Sequence, residues 1–398
     1  MNSGGTASVA FGRVVASYAA RAQPTFGDSH HVGSALGAWL VLALAAPAAT
    51  GPARDELAEI LGMAAEEATA KAAELLAQPP AAVAAAVALW TQQTPPSPAI
   101  AAWQAGLSPA VERGPIPSQE AADAWAAEHT LGLIDRFPLK LSPNVLLVLA
   151  SALAARVSWT VPFEAAPADD LGGSWGVKQV LRSPEWRHPG LIAVDPEAGE
   201  VAVHVAESAE GLDVLSVIAA PDVPPATVLA AAHRAAVGRA AATLVQRSLF
   251  DLPLGTGLAW TLTEAPVRTR AAGGREETYV TLLPAWSAKS QHELLSDQAT
   301  GFSVAGRALA KLLGPQATDL DAKQAAMARY TRTGFEAAAV TALMVPTSLP
   351  PEGLRRTALL RFDRPYAVVA VARQEGSPWH GVPVFSAWIT KADEADSL

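Results

Sequence analysis

Near its C-terminus the chain reads Tyr366-Ala367-Val368-Val369-Ala370-Val371-Ala372, seven apolar residues in an unbroken run. A half-exposed strand would interleave polar residues, so this run predicts a strand buried on both faces. Such a strand needs a sheet covered by other layers. Over about the first 150 residues, Ala-rich segments carry helical spacing, as in Asp55-Glu56-Leu57-Ala58-Glu59-Ile60-Leu61 and in 66–76, and predict a mostly helical half. From about residue 200 short β-type runs follow: Val201-Ala202-Val203-His204-Val205, 212–219 and Tyr279-Val280-Thr281-Leu282-Leu283. Helices first and strands later predict an α+β fold with a large sheet.

With 398 residues, 50% of them hydrophobic and 17% charged, the chain can bury a large core. Length alone suggests two or three domains. However, there is no internal repeat and no long linker, only Pro-rich joints at Pro79-Pro80, Pro95-Pro96 and Pro350-Pro351. A single domain over 7–392 is expected, with a disordered tail at 1–6 and a second tail at 393–398.

A net charge of -9, with 29 basic residues scattered along the chain, argues against nucleic acid or another polyanion as partner. Cysteine is absent, which removes both a disulfide framework and a thiolate nucleophile. Residues 1–11 lack the basic and apolar regions of a secretory signal, and the most apolar stretch, 36–49, is too short to span a bilayer. The expectation is a cytoplasmic chain with no membrane contact, or a secreted one if the true start lies upstream.

The most unusual stretch is Gly334-Phe335-Glu336-Ala337-Ala338-Ala339-Val340-Thr341, followed after four residues by Pro346-Thr347-Ser348-Leu349-Pro350-Pro351. A small-residue run leading into a proline-punctuated, uncharged segment predicts a long exposed loop, over about 332–352, that can also become a strand. If position 335 points to one face of such a strand, Ala337, Ala339 and Thr341 share it, while Glu336, Ala338 and Val340 take the other. A helical turn over 336–342 is the alternative, since Ala is the best helix former. Gly334 before the run and the prolines after it favour the extended reading.

Other constellations carry less chemistry. His292-Glu293-Leu294-Leu295-Ser296 starts like a zincin motif but ends in Ser, so the second metal ligand is missing and an ordinary helix is expected. His30-His31 are adjacent and share no helix or strand face, which predicts a solvated loop. Gly255-Thr256-Gly257 has Trp260 where a dinucleotide fingerprint needs its last Gly and reads as a turn. No Ser is followed three residues later by Lys. Trp125, Trp159 and Trp286 read as core residues. No enzyme, metal site or cofactor is expected.

Five blocks, in order, resemble the serpin family. Ser34, Leu36 and Leu42 with Gly51-Pro52-Ala53-Arg54-Asp55-Glu56-Leu57 are similar to its buried helix and following turn. Ala124-Trp125 with Thr130-Leu131-Gly132-Leu133-Ile134 resemble its helix before the central sheet. Leu147-Val148-Leu149-Ala150-Ser151-Ala152 through Trp159-Thr160-Val161-Pro162-Phe163-Glu164 resemble its third central strand and turn. Leu283-Pro284-Ala285-Trp286 with Glu293-Leu294-Leu295 resemble a later strand and helix. The loop, with 362–384 including Gly376-Ser377 and Gly381, completes the set. The resemblance covers roughly 7–392 and is loose over 165–275.

The resemblance implies a serpin fold, with N-terminal helices packed on a large central β-sheet plus smaller sheets, and a suicide inhibitor of serine-type endopeptidases. In that family a protease cuts the loop while joined to it, and the freed segment enters the central sheet as a strand. The hinge is then Arg332, Gly334, Phe335, Glu336, Ala337, Ala338, Ala339, Val340 and Thr341. The scissile bond is Thr347-Ser348, or Ser348-Leu349 when counted forward from Gly334. With no Arg or Lys in 334–351, the implied partner is a protease preferring small or aliphatic residues, met by a monomer. Several positions depart from the inhibitory pattern. Phe335 replaces Thr or Ser, and Arg332 replaces a Glu whose Lys partner corresponds to Ala285. Gly37 and Trp39 replace small hydroxyl residues, and Ala154-Ala155 replace aromatics. These departures point to the other class, a non-inhibitory serpin that binds a ligand or partner and whose loop is only a substrate.

Overall fold

The computed structural model describes residues 3–92, 96–155, 157–172, 175–314, 321–334 and 350–395. The chain opens with α1 (Ser3–Phe26), β1 (His31–Gly33), α2 (Ala35–Ala45), α3 (Pro52–Leu61) and α4 (Ala65–Ala77). Next come β2 (Val83–Thr91), α5 (Pro98–Ala105), β3 (Val111–Pro115), α6 (Gln119–His129) and β4 (Leu147–Ala155). The middle holds β5 (Glu164–Pro167), α7 (Ala168–Leu171), β6 (Gln179–Arg182), β7 (Gly190–Asp195), β8 (Gly199–Glu207), β9 (Leu212–Ile218) and α8 (Pro225–Ala240). The last part holds β10 (Gly255–Thr256), β11 (Trp260–Arg268), β12 (Arg275–Leu283), β13 (Trp286–Glu293), α9 (Phe302–Leu313), β14 (Lys323–Tyr330), β15 (Glu352–Arg361), β16 (Tyr366–Ala372) and β17 (Pro383–Ile389).

The expected α+β architecture is present. One antiparallel sheet has the order β1-β17-β16-β9-β8-β7. Its central strand β16 is the seven-residue apolar run, and all seven side chains are buried. Ala367, Val369 and Val371 pack on α8 with Val228, Leu229 and Ala232. Tyr366, Val368, Ala370 and Ala372 face the main core of α1, α2 and the other helices. Both faces are covered, which is why the strand carries no polar alternation. A second sheet runs β10-β11-β15-β12-β6-β5, a third β3-β2-β4, and a fourth, among the described residues, consists of β13 and β14.

Several expectations change. The first 150 residues hold the paired strands β1, β2 and β3 and the start of β4 as well as helices. The Ala-rich β2 pairs with β4 from Val83 opposite Ala155 to Thr91 opposite Leu147. Its Val87 and Leu89 join the main core, while Ala88 and Trp90 face α6, so two-sided burial overrides the helix propensity of Ala. His292-Glu293 closes strand β13 instead of lying in a helix, because buried Trp286, Ala288 and His292 alternate with exposed or half-buried neighbours. The helical spacing of Asp55–Leu61 is met by α3, which starts at Pro52 and so takes in most of the segment that the resemblance gave as a turn; Gly51 (φ 56) and Gly62 (φ 73) supply the left-handed backbone at its two ends. His30 and His31 are not a solvated loop. His31 is buried in β1, and His30 bridges the carbonyl of Ser287 and the backbone N–H of Thr390. At the termini, α1 begins at Ser3, and residues 393–395 are tied down. The N–H of Asp393 donates to Ala285, Glu394 accepts from the N–H groups of Lys178 and Gln179, and Ala395 is buried. Among the described residues no helix is long and apolar enough to cross a membrane.

Three buried indoles close helix ends. The last turn of a helix leaves carbonyls without partners. Trp39 Nε1 donates to Leu61 at the end of α3, Trp103 Nε1 to Leu44 of α2, and Trp379 Nε1 to Leu75 of α4. Trp379→Phe removes the indole donor and leaves the Leu75 carbonyl only the long bond from the Gln78 N–H at 3.3 Å, and is expected to cost about 0.5–1.5 kcal/mol, read as a lower urea midpoint.

Five buried histidines are held neutral by their surroundings. Burial depresses His31 and His233 to about 4 and also lowers His188, His204 and His292. The folded values lie below the unfolded value of about 6.5, so the unfolded chain takes up protons first as pH falls. The histidine contribution to stability is complete above pH 6.5 and is lost toward pH 4, with a ceiling of about 3 kcal/mol for His31 or His233. Denaturation midpoints measured from pH 7 to 4 should fall, and His233→Gln should flatten the fall.

Candidate functional site

The two smaller sheets define the site. Among the described residues β4 pairs only with β2, and β14 only with β13, so each presents an unpaired backbone edge. The edges meet at one end only. Ser158 forms an antiparallel bridge with Gly334, the Trp159 N–H donates to Thr333 at 3.2 Å, and the Phe163 N–H donates to Arg332 at 2.9 Å. Trp159 Nε1 adds a bond to the Thr331 carbonyl at 2.9 Å.

Gly334 is required here by geometry. Its φ is +77°, and a Cβ would lie 2.5 Å from the Val157 carbonyl oxygen and 2.9 Å from Ser158 Cα. The turn is closed by Thr331, whose hydroxyl accepts from the Gly334 N–H at 3.0 Å and lies 2.8 Å from its carbonyl oxygen. This turn reverses the chain after β14, so Gly334 runs antiparallel to the segment following β4. Arg332 and Gly334 are therefore brought to the mouth of the gap. The other hinge residues, Phe335, Glu336, Ala337, Ala338, Ala339, Val340 and Thr341, and the bond residues Thr347, Ser348 and Leu349, lie outside the described residues.

Below the mouth, the gap contains a cavity of about 710 Å³. Its lining includes Leu147 and Leu149 of β4, Val41 and Leu42 of α2, and Phe302 and Leu309 of α9. β4 carries two distinct faces. Leu149, Ser151 and Leu153 look toward α2 and the main core, while Val148 and Ala150 pack with Trp90, Phe137 and α6.

A polar junction at the start of α2 ties the two half-sheets to a helix instead of to each other. Gln324 of β14 accepts from the Ser34 N–H at 2.8 Å and donates to the Ser34 carbonyl at 2.8 Å. Ser151 of β4 donates to the Gly37 carbonyl at 2.9 Å. Ser34 Oγ caps the helix by accepting from the Gly37 N–H and donates to Val384. Gly37 lies directly in this junction; a Cβ there would come within 3.3 Å of Ser34 Oγ and 3.6 Å of Gln324 Nε2. Sequence reading missed both Gln324 and Ser151. The one available signal was a hydroxyl inside the otherwise apolar Leu147–Ala155 strand.

Behind the mouth lies an aromatic cluster. Tyr330 packs on Trp159, Phe163 and Trp286 at centroid distances of 4.9, 5.6 and 5.8 Å. His188 and His204 stack on each other and pack against Phe163, His188 edge-on, with His188 Nδ1 3.1 Å from His204 Nε2 and His188 Nε2 2.7 Å from the Val161 carbonyl. The carbonyl requires a proton on His188 Nε2, so with both rings neutral His188 Nδ1 accepts from His204 Nε2–H. Ala285, beside this cluster, is fully buried.

No protein-family model matches the chain, and no curated protein matches it by sequence. Solved structures do match in fold. A thyroxine-binding globulin complex with thyroxine has 15% identity at a TM-score of 0.64, covering 97% of this chain and 100% of the other. The native thermophilic serpin tengpin has 14% identity at a TM-score of 0.63, over 96% of this chain and 94% of its own. Human glycosylated kallistatin also has 14% identity at a TM-score of 0.63, over 96% of both chains. From the N-terminal helices to β17, this chain has the serpin fold.

Proposed function

We propose that the chain is a suicide inhibitor of serine-type endopeptidases, in which the segment after Gly334 is bait and, once cut, enters the gap between β4 and β14 as a strand. One observation carries this reading: two facing unpaired strand edges, with a bridge at one end that sets a register for whatever lies between them. Continuing the pairing of Ser158 with Gly334 places Phe335 opposite Val157, Ala337 opposite Ala155, Ala339 opposite Leu153 and Thr341 opposite Ser151. Leu343 then falls opposite Leu149, and Val345 opposite Leu147. Directly opposed residues share a face, and this face of β4 looks toward α2. Small residues thus fall on the crowded upper part, while Leu343 and Val345 fall on the cavity. At a net ~1 kcal/mol per hydrogen bond, a strand of about ten residues supplies on the order of 10 kcal/mol, comparable to the stability of a whole domain.

A cut at Thr347-Ser348 leaves a segment that reaches just past the start of β4. The neutral residues around that bond suit a protease preferring small or aliphatic side chains, acting on a monomer. The competing reading is a non-inhibitory binding protein. Its support is Phe335, a large aromatic that on this register would have to fit opposite Val157 beside Trp159, where overpacking commonly costs ~1–3 kcal/mol.

Incubation with elastase-like and subtilisin-like proteases is expected to give a detergent-resistant band at the summed mass and a cleaved product with a much higher melting temperature. Phe335→Thr should raise the trapped fraction. Leu343→Glu, which sends a charge into the apolar cavity, should leave cleavage intact but abolish trapping. Clean cleavage near Thr347 with no such band and no gain in heat stability would establish the binding reading instead.

A further inference from the structure

Behind the mouth, polar atoms gather that the surrounding side chains do not satisfy. Among the described residues eleven buried side-chain nitrogens and oxygens have no hydrogen-bond partner in the protein, and five of them, from His204, Ser216, Trp286, Tyr330 and Tyr366, belong to this one cluster. Buried polar groups are paired as a rule, since an orphan forfeits its bonds to water. So many in one place mark a shared partner and not scattered misfits.

The fold brings them together from two sheets. His204 of β8 stands directly opposite Ser216 of β9, and Ser216 opposite Val368 of β16, two positions past Tyr366. Side chains on this face, with Ala202, Ile218 and Val368, look into the main core. Tyr330 of β14 and Trp286 of β13 are cross-strand neighbours whose rings stack at 5.8 Å. Phe163 touches both groups, with its ring 5.5 Å from His204 and 5.6 Å from Tyr330. The Tyr330 phenol faces Ser216, and the Tyr366 phenol faces Tyr330 and Trp286.

Donor and acceptor roles follow from the histidine pair. His188 donates its Nε2–H to the Val161 carbonyl, so its Nδ1 accepts the Nε2–H of His204 at 3.1 Å. His204 Nδ1 is then an enclosed acceptor to which no described side chain donates. Burial keeps His204 neutral and the Tyr330 phenol protonated, so the first accepts and the second is free to donate. Directly opposed residues hold their Cβ atoms ~5 Å apart, yet His204 and Ser216 make no direct bond. A space of that size with polar groups around it is what a buried water fills.

We propose that His204, Ser216 and Tyr330 form a closed water-binding site. Its water donates to His204 Nδ1 and to Ser216 Oγ and accepts from the Tyr330 hydroxyl. The result is a relay from the Val161 carbonyl through His188, His204 and the water to Tyr330. It is a second tie between the segment after β4 and β14, behind the backbone bonds that Trp159 and Phe163 make to Thr333 and Arg332. The site holds for either reading of function, since it needs neither a protease nor a ligand.

The sign of one substitution separates a hydrated hydroxyl from an orphaned one. Tyr330→Phe removes only the oxygen. If that oxygen binds the water, the urea midpoint falls; removing an orphan would raise the midpoint or leave it unchanged. Ser216→Ala is expected to lower it as well, and the double variant to fall by less than the sum, because both substitutions lose the same water. Amide exchange reads the relay separately. In each single variant the Trp159 and Phe163 N–H groups should exchange roughly tenfold faster, while the amides of β16 change no more than the midpoint requires. A midpoint that does not fall in Tyr330→Phe, strict additivity of the two substitutions, or unchanged exchange at Trp159 and Phe163 overturns the proposal.

Discussion

The arrangement of the molecule depends on the polar junction at the start of α2. Gln324 satisfies the Ser34 backbone, Ser34 caps the first turn of the helix, and Ser151 donates to the Gly37 carbonyl of that turn, and together they hold β4 and β14 to a common floor without joining them. Buried polar groups with complete sets of partners are expensive to disturb, because a broken set leaves an unsatisfied donor or acceptor. The half-sheets cannot slide together to pair their free edges without breaking that set. The unpaired edges, and the cavity between them, follow from a small number of well-made hydrogen bonds and not from loose packing.

Part of this was legible in the chain. Two-sided burial of β16 leaves a periodicity that only a central strand produces, and the glycine before the Ala run marked a special backbone position. Burial, not intrinsic propensity, decides β2 and the end of β13, so their Ala-rich and Glu-Leu-Leu sequences misled. The junction was nearly invisible because its members are separated by hundreds of positions, from Ser34 to Gln324, and use residue types common on any surface. β11 was hidden for another reason: most of its side chains are exposed or half-buried, and the strand exists because β15 lies beside it.

An unpaired strand edge is a hazard as well as a device, since any extended segment can add to it, including one from another copy of the chain. Here the free edges of β4 and β14 are recessed above α2 and α9, and the outer edge of β11 is blunted by Pro266. These three templates are thus either inside a narrow opening or interrupted where a partner would have to pair.

The same edges set what filling the gap would be worth. On the proposed reading, the open place holds a driving force in reserve, since a net ~1 kcal/mol per ladder bond summed over a strand approaches the stability of a whole domain. What keeps that reserve is the floor: the junction of Ser34 with Gln324 and of Gly37 with Ser151 fixes β14 and β4 to α2, so the separation of the two edges is set by a helix and not by the strands themselves. A strand entering between them would then gain two ladders without first having to break one.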